Sequence, residues 1–122
     1  MEQEQLKLAQ KIAKIVSDKK AQDIVALYVG NLTVITDYMV IASGRSALQT
    51  KALADEVEDK LAEIGVPLRA KEGVNEGRWI VLDFGTVLVH IFHPEDRDHY
   101  RLERLWSDGT NSIELPNDDE NE

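Results

Sequence analysis

Apolar residues recur every three or four positions from residue 2 to 18, with Leu8, Ile12, Ile15 and Val16 on one stripe and Lys7, Lys11 and Lys14 elsewhere. That spacing predicts an amphipathic helix. Asp23 to Val29 is β-rich with imperfect alternation, and Gly30-Asn31 marks a turn after it. Asp37 to Ala42 is apolar on both alternating sets, which suits an interior strand of a mixed or parallel sheet. Ser46 followed by Gln49 is a capping-box pattern opening a long helix whose buried stripe reads Leu53, Val57, Leu61 and Ile64. Gly65 stands where a left-handed C-cap belongs, and Pro67 forbids continuation. Leu68 to Glu72 reads as a short edge strand, and residues 73 to 77 as a loop.

Two apolar runs, Trp79 to Phe84 and Val87 to Phe92, meet at Gly85-Thr86. This is a hairpin signal, and it sets a register. With Gly85-Thr86 central, Phe84 pairs with Val87, Leu82 with Val89 and Ile80 with Ile91, giving a wholly apolar face for a core. The opposite face pairs Asp83 with Leu88, Val81 with His90 and Trp79 with Phe92. Two large aromatics, a carboxylate and an imidazole on one face suit contact with a partner better than simple solvation. Pro94-Glu95-Asp96 starts a last helix, with Leu102 and Leu105 on its core side and Tyr100, Glu103 and Arg104 outward.

The order of elements, a helix, two strands, a helix, three strands and a helix, predicts an α/β (α+β) sheet flanked by helices. At 122 residues the chain is expected to form one domain over residues 1–107, followed by an acidic tail over 108–122 that is disordered from about Asn117. It has no cysteine, which removes disulfides, thiol catalysis and cysteine-based zinc sites. No apolar run is long enough to span a membrane, and the acidic start lacks the order of a secretion signal, so a cytoplasmic protein is expected. A net charge of −9 repels nucleic acid backbones in bulk, DNA included, and suits a basic protein partner.

Few positions suggest chemistry. The Ser43-Gly44-Arg45-Ser46 turn precedes a helix, where amides and dipole favour an anion, but it matches no dinucleotide or Walker fingerprint. Geometry and capping explain it more simply. Asp83 stands alone, with Val81 and Gly85 as its same-face neighbours, so the paired acids of a catalytic divalent metal are missing. His90 and His93 fall on opposite faces, and no third ligand converges on either. His90 is either a partner contact or a hydrogen-bonded sheet residue. Arg97, Tyr100, Arg101, Arg104 and Trp106 mix basic and aromatic groups, for which protein contact is favoured over RNA and core packing is the expectation at Trp106.

A series of these residues resembles one family. Asp23-Ile24, Thr36 through Ser46, Glu72-Gly73, Trp79, Asp83-Phe84-Gly85, Val89 through Phe92, Arg97, Tyr100 and Leu102 through Trp106 match, in order, the ribosomal silencing factors, or Iojap-like proteins. The match covers about residues 5 to 107. The resemblance implies a mixed five-stranded sheet shaped like a nucleotidyltransferase without its catalytic carboxylates. It implies no catalysis and no cofactor. It implies a translation repressor that binds ribosomal protein number fourteen on the large ribosomal subunit. Occupying that site blocks small-subunit joining when nutrients are scarce, and large-subunit assembly is a further implied role. Trp79, Asp83, His90, Tyr100 and Glu103 are matched positions. With Val81, Leu88 and Phe92 they form the expected docking surface. Tyr28 and Thr86 depart from the family, where Asp is common, which puts any role of those carboxylates in doubt here. Two other readings stand beside this one: a nucleotide-binding or nucleotidyl-transferring enzyme using Gly44-Arg45-Ser46, and a homodimerisation module pairing through the mixed hairpin face.

Overall fold

The structure is a computed structural model that describes residues 2–115. In chain order the elements are α1 (Glu2–Asp18), β1 (Gln22–Tyr28), β2 (Tyr38–Ser43), α2 (Ala47–Glu63), β3 (Ala70–Glu72), β4 (Trp79–Asp83), β5 (Val87–Phe92), α3 (Pro94–Tyr100) and α4 (Leu102–Trp106). The strands form one mixed sheet in the order β1-β2-β5-β4-β3. β2 lies inside it, antiparallel to β1 and parallel to β5, and all six of its residues are buried, as its unbroken apolar run predicts. The α/β (α+β) reading holds.

The hairpin register is the expected one, residue for residue: Trp79 opposite Phe92, Val81 opposite His90 and Asp83 opposite Leu88. Gly85 turns with φ +91, and Phe84 N–H donates to Val87 O at 3.0 Å, closing the loop. One face of the sheet carries Ala26, Val40, Ala42, Ile80, Leu82, Val89 and Ile91, and α1 and α2 pack on it through Ile12, Val16, Leu53, Val57 and Leu61. The other face holds a smaller cluster of Leu27, Met39, Ile41 and Phe92 under Leu102 of α4. α3 and α4 are too short to cover all of it, so part of β4 and β5 stays open.

Several details differ from the expectation. Ser46 Oγ accepts from Gln49 N–H at 3.1 Å, but Gln49 Oε1 accepts from Arg45 N–H rather than from Ser46, at 2.6 Å. Ile64 is the C-cap of α2 and is 51% exposed, because the helix ends before it can turn inward. Gly65 (φ +79) N–H bonds Ala62 O and Val66 N–H bonds Leu61 O, so Val66 rather than Ile64 seals this end against the core. The last helix is broken at Arg101, whose left-handed φ of 49 separates α3 from α4. The break rotates Leu105 out to 73% exposure while Leu102 stays buried.

The expected boundary at residue 107 does not mark the end of packing. Residues 107–115 fold back along β1: Tyr28 N–H donates to Asn111 O and Ile113 N–H to Ala26 O, and Leu27 bridges Ser112. Asn111 Nδ2 donates to Tyr28 O and Trp106 O, and Ile113 and Leu115 rest on the core. Short polar residues make this strap by turning it, and it covers an otherwise open sheet edge. The acidic stretch from Asn117 lies outside the described residues.

Candidate functional site

The open part of the second face is where the sequence places its candidate residues. Alternation aims Trp79, Val81 and Asp83 from β4, and Leu88, His90 and Phe92 from β5, to the side away from α1 and α2. α3 then brings Tyr100 over the Trp79 end. The ring centroids of Trp79 lie 4.9 Å from Phe92 and 4.8 Å from Tyr100, so three aromatics form one cluster. Within it, Trp79 is half-buried, Tyr100 is 52% exposed and Phe92 is fully buried. Phe92, expected on the docking surface, is thus covered in the free chain: it packs against Trp79 and Leu102 and supports the cluster from below.

His90 is also covered, at 6% exposure. Trp79 Nε1–H donates to its Nδ1 at 3.2 Å, which leaves the proton of the neutral ring on Nε2. That Nε2 is buried and has no partner among the described residues. Burial pushes the imidazole down to about 4, so it stays neutral at ordinary pH. Of the two roles open from the sequence, the structure shows the hydrogen-bonded sheet residue: His90 orients the indole from below.

Asp83 sits at the other end of β4, roughly 13 Å along the strand from Trp79. Its Oδ1 accepts from Gly85 N–H at 2.7 Å, which ties the carboxylate to the hairpin turn. Val81 and Leu88 are half-buried between these two ends. Glu103, on α4, accepts from Arg97 Nε at 3.0 Å and is turned toward α3 rather than toward the aromatic cluster. Thus the fold unites Trp79, Val81, Leu88 and Tyr100 as exposed or half-exposed apolar surface, with Asp83 and Glu103 at opposite margins.

Arg97 is the residue the spacing does not reveal. Its guanidinium donates to Ser43 Oγ at 2.9 Å, Asp23 O at 2.7 Å and Glu103, so it fastens α3 to β1, β2 and α4. An arginine in a helix reads as solvated by periodicity, and only tertiary contact shows it at 7% exposure. Leu105, read as a core residue, is instead exposed on the same two-helix segment. At the start of α2, Ser46 Oγ accepts from Gln49 N–H and Gln49 Oε1 accepts from Arg45 N–H, which is a capping role. No group of three His, Cys, Asp or Glu among the described residues could hold a metal, and no helix among them is long and apolar enough to cross a membrane.

Comparison with known proteins agrees with this architecture. The model of the family described as ribosomal silencing factor during starvation matches residues 2–122. A ribosomal silencing factor of Bacillus subtilis is 42% identical over 91 residues, 75% of this chain and 77% of the relative. One of Halalkalibacterium halodurans is 40% identical over 113 residues, 93% of each chain. The crystal structure of a Chromobacterium violaceum protein superposes with a TM-score of 0.78 at 38% identity, covering 93% of this chain and 92% of that one. The five-stranded mixed sheet, the hairpin with its aromatic face and the match over nearly every residue lead to one conclusion: the chain belongs to the ribosomal silencing factor family.

Proposed function

We propose that this protein is a non-enzymatic translation repressor of the cytoplasm. It docks on ribosomal protein number fourteen of the large ribosomal subunit and blocks small-subunit joining by occupying that surface. The observation that carries the reading is the aromatic cluster of Trp79 and Tyr100 on a sheet face that α3 and α4 leave partly open. Large aromatics seated on a rigid sheet and edged by polar groups are what interface hot spots are made of. Because His90 takes the indole N–H, Trp79 presents ring and edge rather than a donor, so the complementary patch is apolar or cationic. The net charge of −9 favours approach to a basic ribosomal protein. Support for action without catalysis comes from Asp83, whose carboxylate serves the hairpin turn, and from the self-capped start of α2.

The experiment is sedimentation of the protein with isolated large and small subunits, followed by a joining assay. Co-migration with the large subunit alone, together with lost joining, is expected. Co-migration with joining intact would replace occlusion by a role in assembly, and no co-migration of a folded protein would remove the docking reading.

A further inference from the structure

A polar cavity of about 270 Å³ opens beside this face, where the ends of β1 and β2 meet α3 and α4. Its floor is the side chain of Arg97, 8% exposed. A guanidinium has five N–H donors, and among the described residues Arg97 uses three of them on Ser43 Oγ, Asp23 O and Glu103, leaving one on each terminal nitrogen. Arg101 and Arg104 stand at the rim. Arg101 leans on Asp98, donating from Nε to its carbonyl at 3.1 Å and lying 3.7 Å from its carboxylate. The Arg104 guanidinium has no partner among the described residues, and the Asp23 carboxylate, which also lines the cavity, has none either.

The backbone around the cavity is held in unfavourable shapes. Asp23 (φ 52) and Arg101 (φ 49) are both left-handed without being glycine. Arg97 holds each of them: its guanidinium bonds Asp23 O, and its own carbonyl accepts from Arg101 N–H at 3.0 Å. Such conformations persist only where the surroundings enforce them, and they gather at ligand sites. Three of the chain's six arginines fall between residues 97 and 104, in a protein of net charge −9. Yet the formal charges of Arg97, Arg101 and Arg104 are matched by Asp23, Asp98 and Glu103. A nucleoside triphosphate or phosphomonoester carries too much charge for a lining whose sum is zero. Any pull on an anion is therefore local, from the Arg104 guanidinium and the remaining Arg97 N–H groups, and suits at most a single negative charge.

We propose that the cavity seats one backbone phosphodiester of ribosomal RNA while the Trp79 face docks. Arg104 pairs with the phosphate from the rim and Arg97 donates from the floor. This rests on the docking reading, since the cavity shares Glu103 and the α3–α4 segment with that face. A basic ribosomal protein offers few free carboxylates at such a margin, whereas the surrounding RNA offers a phosphate at every nucleotide. Guanidinium groups recognise that geometry well.

The test is equilibrium binding of the full chain to isolated large subunits between about 50 and 300 mM salt, and separately to isolated ribosomal protein number fourteen. Arg104→Gln should bind subunits several-fold more weakly at low salt and lower the slope of log K against log salt by roughly 0.7–0.9, the value of one phosphate contact. It should leave binding to the isolated protein unchanged. Asp23→Asn, a residue tolerated in the left-handed region, should tighten subunit binding alone by relieving repulsion. A wild-type slope for Arg104→Gln, with Trp79→Ala weakening both assays, would overturn the phosphate site and leave docking intact. Equal weakening on the isolated protein would give Arg104 to a protein contact and overturn it as well. No binding of the wild-type protein to subunits would overturn both readings.

Discussion

Replacing His90 with Phe should flatten the acid side of the stability profile. In the folded protein the ring is 6% exposed, accepts one hydrogen bond from Trp79 through Nδ1 and has an Nε2 unpaired among the described residues. Burial lowers its pKa from 6.5 to about 4. Below pH 6.5 the unfolded chain therefore binds a proton that the folded protein refuses until about pH 4. Stability from this residue is complete above the unfolded value and is lost as pH falls through that window. At about 1.4 kcal/mol per pH unit the full loss is roughly 3 kcal/mol. Phe titrates nothing. At pH 7 the variant loses the Trp79 hydrogen bond, about 1 kcal/mol, but also removes an unpaired buried donor worth about 1–3 kcal/mol. The net at pH 7 is then about 0–2 kcal/mol in the variant's favour. Urea unfolding followed by tryptophan fluorescence at pH 7, 6, 5 and 4.5 should show that offset at pH 7. The variant should gain roughly a further 2–3 kcal/mol over wild type by pH 4.5, a midpoint about 1 M higher still. Carboxylates titrate in both proteins and cancel in the difference. Parallel profiles, with a difference constant to about 0.5 kcal/mol, would refute a neutral buried His90.

Other outcomes test the rest of the arrangement. Trp79→Ala should weaken docking on large subunits by about 2 kcal/mol or more, roughly thirtyfold in Kd by titration calorimetry, and unchanged affinity of a folded variant would take Trp79 out of the interface. Gly73→Ala should cost at least about 2 kcal/mol in thermal unfolding, because Gly73 has φ +80 and an added Cβ would run into the Trp79 carbonyl. A melt like wild type would show that the 73–77 loop can move aside. Arg97→Met should lower stability by about 2–4 kcal/mol, since Ser43 Oγ and Asp23 O lose their donor. A loss under about 1 kcal/mol would mean that apolar packing, not the guanidinium, holds α3 to the sheet.

The candidate face was legible where period alone decides. Pleating puts alternate residues on opposite sides, so a Gly-centred turn between two apolar runs gave every cross-strand pair of β4 and β5 before any fold was known. Alternation says which residues share a side, however, and not what lies over them. His90 and Phe92 share a face with Trp79, yet α4 and the aromatic neighbours cover them and leave Trp79 and Tyr100 accessible. Leu105 fails for a related reason. A single helix through residues 94–106 would point it inward, and the left-handed Arg101 resets the phase. Arg97 leaves no mark in any apolar pattern.

From its sequence alone this chain determines its strands and their order, the two long helices, the hairpin register and the family to which it belongs. Each of these depends on interactions among residues close in the chain or on matched motifs. Tertiary structure alone decided that the face is only partly roofed, that residues 107–115 close the edge of β1, and that Arg97 gathers β1, β2, α3 and α4 around a polar cavity. These join positions as far apart as Ser43 and Arg97 or Tyr28 and Asn111. Burial and hydrogen bonding between distant residues depend on how packed layers meet, and no local period encodes that.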